Sequence, residues 1–168
     1  MELYTFGLAT LKMGGIDAAT GLPTGLADVG SVYKDSVAYT GGDVTKTPIY
    51  SQQKPNTPVK EFKSKASGSF VFNLMSTEVA KLALFGVGEV VTLNSVSVLG
   101  INDDPVDLEK SFEMTTTDGT VLTILRGSIT AKENWTVSDQ GIWLTEISVT
   151  PLVPKIAGLK SVTVKNPA

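Results

Sequence analysis

The chain has 168 residues, 14 Lys plus Arg against 17 Asp plus Glu, a net charge of −3, and neither His nor Cys. That length suits one domain, which buries roughly 70% of its unfolded surface on folding. Without Cys there is no disulfide or thiolate chemistry, and without His the commonest general base and metal ligand are gone. The charged share of 18% lies below the usual ~25%, which suits either a surface that partly faces other protein or simply a β protein rich in Thr, Ser and Val.

The opening MELYTFGLATLKMGG has no basic n-region and no long apolar run, so no signal peptide is expected. No segment approaches the ~20 apolar residues that span a bilayer, and no membrane partner is expected. Within that opening, alternation predicts a strand with Tyr4, Phe6 and Leu8 on one face and Thr5, Gly7 and Ala9 on the other. Residues 14–25, GGIDAATGLPTG, read as a connection. SVYKDSVAYT follows as a strand with Tyr33, Val37 and Tyr39 on one face, and Gly41-Gly42-Asp43 turns the chain.

The stretch after it holds Pro48, Pro55 and Pro58. Because proline cannot donate to a ladder, it reads as an edge strand or an extended loop. From Thr45 to Lys65 five lysines (46, 54, 60, 63 and 65) face only Glu61, a net of +4. Clean alternation returns in GSFVFNL, with Phe70, Phe72 and Leu74 on one face. A helix of about three turns is predicted over 76–85, with Ser76 as N-cap, Glu78 in the first turn and Gly86 as the C′ glycine. Its apolar stripe holds Val79, Leu82 and Ala83, widened by Leu84 and Phe85. So short a helix is marginal alone and needs a sheet to dock on.

EVVTLNSVSVLG is strand-like, and INDDPVDLEK is an acidic turn region. Six acids against Lys110 give residues 103–118 a net of −5. Asp118-Gly119 signals a hairpin into a long strand that puts Val121, Leu125, Ile129, Ala131 and Trp135 on one face, with Gly127 marking a bulge. IWLTEISVTPLVP is the last core strand, and 155–168 reads as a C-terminal arm. Roughly eight strands and one helix imply a mainly β fold, an antiparallel sandwich or partial barrel with one short flanking helix.

No nucleophile elbow, P-loop or Rossmann pattern is present, so no enzyme, cofactor or metal is expected. Asp103, Asp104 and Asp107 could offer oxygens to Ca²⁺, but their spacing is not that of an EF-hand and Asn-Asp-Asp-Pro is a good turn sequence. The sequon NWT at 134–136 falls within a predicted strand, and Trp135 and Trp143 are expected in paired core strands. Segregated charge either reflects ordinary solvated faces or lets copies of the chain join head to tail.

The order of a strand pair, a long Pro-containing, Lys-bearing loop, VKEFKSKASGSFVFNLMSTEVAKLALFG, and further antiparallel strands resembles the major tail tube proteins of tailed bacteriophages. The likeness covers most of residues 1–153 and is sharpest at 60–88. It implies a virion structural protein: a β domain over 1–154 with a long loop at 45–59, six copies in a ring, and rings stacked into a tail tube assembled in the bacterial host cytoplasm. Tape measure, tail tip and terminator proteins would be partners, and double-stranded DNA would pass the lumen without specific binding. Inter-subunit contacts would involve Lys46, Ile49, Tyr50, Lys54, Lys60 and Lys63 on one side and Asp103, Asp104 and Asp107 on the other. Phe70, Phe72, Val79, Leu82 and Phe85 would form the helix–sheet core. The inner tube of a contractile injection system or tailocin is the nearest alternative. A carbohydrate-binding or adhesin sandwich is another, with Trp135 and Trp143 as its only available platforms.

Overall fold

The computed structural model describes residues 7–167. Among these residues the fold is mainly β, 57% strand and 4% helix, with antiparallel sheets and one short helix. In chain order the strands are β1 (Leu8–Ile16), β2 (Pro23–Asp28), β3 (Ala38–Thr40), β4 (Val44–Ser51), β5 (Lys54–Lys65) and β6 (Ser69–Leu74). Helix α1 (Val79–Leu84) follows, then β7 (Gly88–Leu93), β8 (Val96–Ile101), β9 (Glu109–Thr116), β10 (Val121–Asn134), β11 (Leu144–Pro151) and β12 (Val162–Lys165). Eight strands form the main sheet in the order β2-β1-β9-β10-β11-β6-β3, with β12 also paired to β10. β4–β5 and β7–β8 are separate two-stranded ribbons.

The core forms on one face of the main sheet. Phe70, Phe72 and Leu74 of β6 lie opposite Val149, Ile147 and Thr145 of β11, and all six are buried. The Phe112 ring on β9 is 6.2 Å from both Phe70 and Phe72. Two strands separate β9 from β6, a span of about 14 Å in a flat sheet; the rings meet because the sheet curls around them. The segment after β2 helps close the curl: Val29 N–H donates to Leu11 at 3.0 Å and Tyr33 N–H to Asn73 at 2.8 Å.

α1 lies over this face. Phe85 meets Phe72 edge-on at 5.9 Å, and Leu82 is buried beside it. The helix ends in a Schellman motif: Gly86, at φ 77°, donates to Ala83, and Val87 donates to Leu82. Its start differs from expectation. The hydroxyl of Ser76 accepts from Glu78 N–H, closing a local turn, and Glu78 becomes an N-cap without a side-chain cap bond. The helix is therefore six residues long, and Val79, at its first position, is half-buried and outside the core.

Several other expectations are corrected. Residues 14–25 are not all connection: Gly14 and Gly15 belong to β1, where a Cβ on Gly14 would strike the Thr24 backbone, and β2 begins at Pro23. Glycines mute the period-2 signal there. Tyr33 and Val37 precede the short β3 instead of sharing a strand with Tyr39. β10 does not keep one face: its register shifts between Ile124 and Gly127, so Leu122 and Ile124 point to the core before the bulge and Ile129 and Ala131 after it. Val121 consequently faces away from the core, and Leu125 is buried outside the cluster. The C-terminal arm, described as far as residue 167, carries β12, which pairs with Val121–Ile124 of β10, and Val162 packs on the core. It occupies the part of β10 that β11 leaves unpaired. Of the predicted first strand, Tyr4, Thr5 and Phe6 lie outside the described residues.

Candidate assembly interface

The long basic segment is a ribbon and not a loop. Edge strand β3 and its neighbour β6 continue, through a glycine neck, into β4 and β5. Thr40 pairs with Ser69 before the neck and Val44 with Lys65 after it, four residues further along each strand, so the register runs through unbroken. The backbones approach closely at the neck, where a Cβ on Gly42 would strike the Ala66 carbonyl and one on Gly68 would lie 2.8 Å from the Thr40 oxygen. Beyond it the ribbon extends roughly 25 Å, at ~3.4 Å per residue. Every residue of β4 and β5 except Ser51 is exposed.

The two ribbon faces differ. Register places Val44, Lys46 and Pro48 opposite Lys65, Lys63 and Glu61, which makes one face charged. Thr45, Thr47 and Ile49 lie opposite Ser64, Phe62 and Lys60 on the other. There the Lys60 ammonium sits 4.6 Å from the Phe62 ring centroid, and Ile49 and Phe62 are exposed. Pro48, Pro55 and Pro58 break up the donor rows, and bulges beside Tyr50 bend the tip.

The second ribbon was legible only as a strand-like stretch. Asn94 and Ser95 both adopt positive φ, 49° and 65°, and form the tight turn between β7 and β8. The signal lay in Asn, which tolerates that region, flanked by two apolar runs. One ribbon face rests on the body through buried Gly88 and half-buried Leu99. The other carries Val91 opposite Val98 and Leu93 opposite Val96, exposed by 48%, 40%, 57% and 61%. Four aliphatic side chains thus form one contiguous patch on water.

The acidic residues follow directly. Asn102 donates to the Val87 and Gly86 carbonyls, anchoring a loop that carries exposed Asp103, Asp104 and Asp107. Asp103, Asp104 and Glu133 line one shallow groove with Phe85 and Gly86; Glu133 was not anticipated from the sequence. No group of His, Cys, Asp or Glu suited to a metal occurs among the described residues. Within the chain Glu61 lies 3.9 Å from Lys46 and 3.7 Å from Lys63, and no ion pair among the described residues joins Lys54 or Lys60 to Asp103, Asp104 or Asp107.

The face of the main sheet away from the core is polar. Thr130 lies opposite Ser148 and Ser128 opposite Thr150, while Lys12 faces Glu113 and Lys132 faces Glu146 across strands. Arg126 grips Glu109 with two 2.7 Å bonds and donates to the Val153 carbonyl at 3.3 Å. Those bonds hold the Glu109 carboxyl below its ordinary range and raise Arg126. Asp17 and Asp118 are also lowered, Asp17 chiefly by the Thr20 N–H and Asp118 chiefly by the Thr116 hydroxyl. Trp135 is half-buried and packs against the core just past the end of β10, its indole N–H donating to Thr145, whereas Trp143 is exposed and stacks on it at 5.0 Å and 9°.

No protein-family model matches the chain, and neither does any curated protein sequence.

Proposed function

We propose that this chain is a structural subunit that polymerises with copies of itself into a hollow tube, as stacked hexameric rings of a bacteriophage tail tube that conducts DNA. The β4–β5 ribbon carries this reading. A two-stranded ribbon with water on both faces is marginal by itself. This one is held out by continuous register with the main sheet and presents Ile49, Tyr50, Val59 and Phe62 to solvent. Such a projection is stabilised when a neighbour covers it, and a repeated head-to-tail contact closes into a ring or continues as a filament.

The polar outer face supports a channel role. Lys12 and Lys132 there stand opposite acids, which interrupts any basic rail on which phosphates would stick. The order of strand pair, Lys-bearing ribbon, SGSFVFNL strand and STEVAKLALFG helix adds the likeness to tail tube proteins. On this reading the protein resides in the virion tail, and tape measure, tip and terminator proteins meet it at the tube ends. Negative-stain electron microscopy and light scattering of the concentrated protein test the proposal. Six-fold rings or tubes are expected, and a monomer at every concentration counts against it.

A further inference from the structure

We infer that the two ribbons are each other's partners between copies: the Ile49–Phe62 face of β4–β5 from one subunit covers the Val91–Leu93–Val96–Val98 face of β7–β8 on the next. This rests on the self-assembly reading and names the surfaces that would join.

Three observations on different parts of the molecule converge. The β7–β8 patch is aliphatic, formed by cross-strand neighbours, and uncovered within the chain. Adjacent exposed aliphatics of this kind mark a protein contact. The β4–β5 face is a second exposed two-stranded surface, with Ile49 and Phe62 at its middle and threonines around them. Charge selects the pairing. The segment Val44–Lys65 holds five lysines against Glu61, a net of +4, while Gly88–Leu108 holds Glu89, Asp103, Asp104 and Asp107 with no Lys or Arg, a net of −4. Glu89 lies on β7–β8 itself and the three aspartates follow it in the adjoining loop, so like segments repel and unlike segments attract, and the contact is heterologous and propagates.

The prolines decide how the surfaces meet. With Pro48, Pro55 and Pro58 interrupting its donors, the basic ribbon is a poor template for a further strand. It docks by its face, while Lys54 and Lys60 reach toward Glu89 and toward the groove lined by Asp103, Asp104 and Glu133.

The chain contains no Cys, so single cysteines report the contact cleanly. Val91→Cys and Phe62→Cys proteins, mixed and treated with a short bismaleimide, are expected to yield a heterodimer, and a chain carrying both changes is expected to yield a ladder. Lys54→Glu with Lys60→Glu should reduce the cross-link about tenfold, and Asp103→Lys with Asp104→Lys in the partner should restore it. A second pair, Leu93→Cys with Ile49→Cys, guards against one unfavourable geometry, and matching thermal transitions confirm that each variant is folded. Rings or tubes in which neither pair cross-links would overturn the ribbon pairing and leave the assembly reading standing. Links only between identical cysteines would likewise overturn it. Neither links nor assemblies would overturn both.

Discussion

Gly42 passes so close beneath Ala66 that any β-carbon there would collide with the Ala66 carbonyl. This contact sits at the neck where the main sheet hands its register to the basic ribbon. The direction of the ribbon is therefore set by a glycine and not by core packing. Gly42→Val is expected to force the neck apart and release the ribbon while leaving the aromatic core intact. Limited proteolysis within 44–65 should accelerate, with the thermal midpoint of the body falling by less than about 4 °C.

Phe85 and Val79 occupy one helix but differ in weight. Phe85 fills the space against Phe72 and is buried, so Phe85→Ala should destabilise the protein by about 3–5 kcal/mol. Val79 is half-buried at the first helical position, where a carboxylate is welcomed by the unpaired N–H groups. Val79→Asp is accordingly expected to change stability by less than about 1 kcal/mol. Denaturant unfolding of the two variants checks the contrast, and equal losses would refute it.

Gly127 carries the β10 bulge, and a β-carbon there would run into the Val149 side chain. Gly127→Ala should destabilise by about 1–3 kcal/mol through overpacking. In the double variant with Val149→Ala the two losses should be less than additive, because each change makes room for the other. Additive losses in a double-mutant cycle would rule out the proposed collision.

Glu109 has its folded pKa lowered by Arg126 from an ordinary value of 4.5. A lowered acid stabilises the fold above its unfolded value, and that contribution is lost as pH falls through the folded one. Thermal midpoints measured from pH 6 downward should therefore fall below about pH 4.5, with Asp17 and Asp118 adding to the loss at lower pH. Glu109→Gln should flatten the upper part of that decline and leave the rest. An unchanged profile would show that the pair contributes nothing to the acid response.

The sequence by itself determined the elements whose signals are local. Alternation in SFVFNL, the glycine after the helix and Asp118-Gly119 each act within a few residues, and they mark β6, the end of α1 and the β9–β10 hairpin. Leu82 and Phe85 were legible as the docking side because i and i+3 share a helical stripe. Tertiary structure alone decided the rest. Residues 44–65 form a ribbon in which the β3–β6 register continues through the neck; a segment with no buried face carries no pattern that would announce this. β10 exchanges faces because one extra residue at the bulge inverts every later side chain. The valines of β12 look alike as an arm or a strand until β10 offers them an unpaired edge.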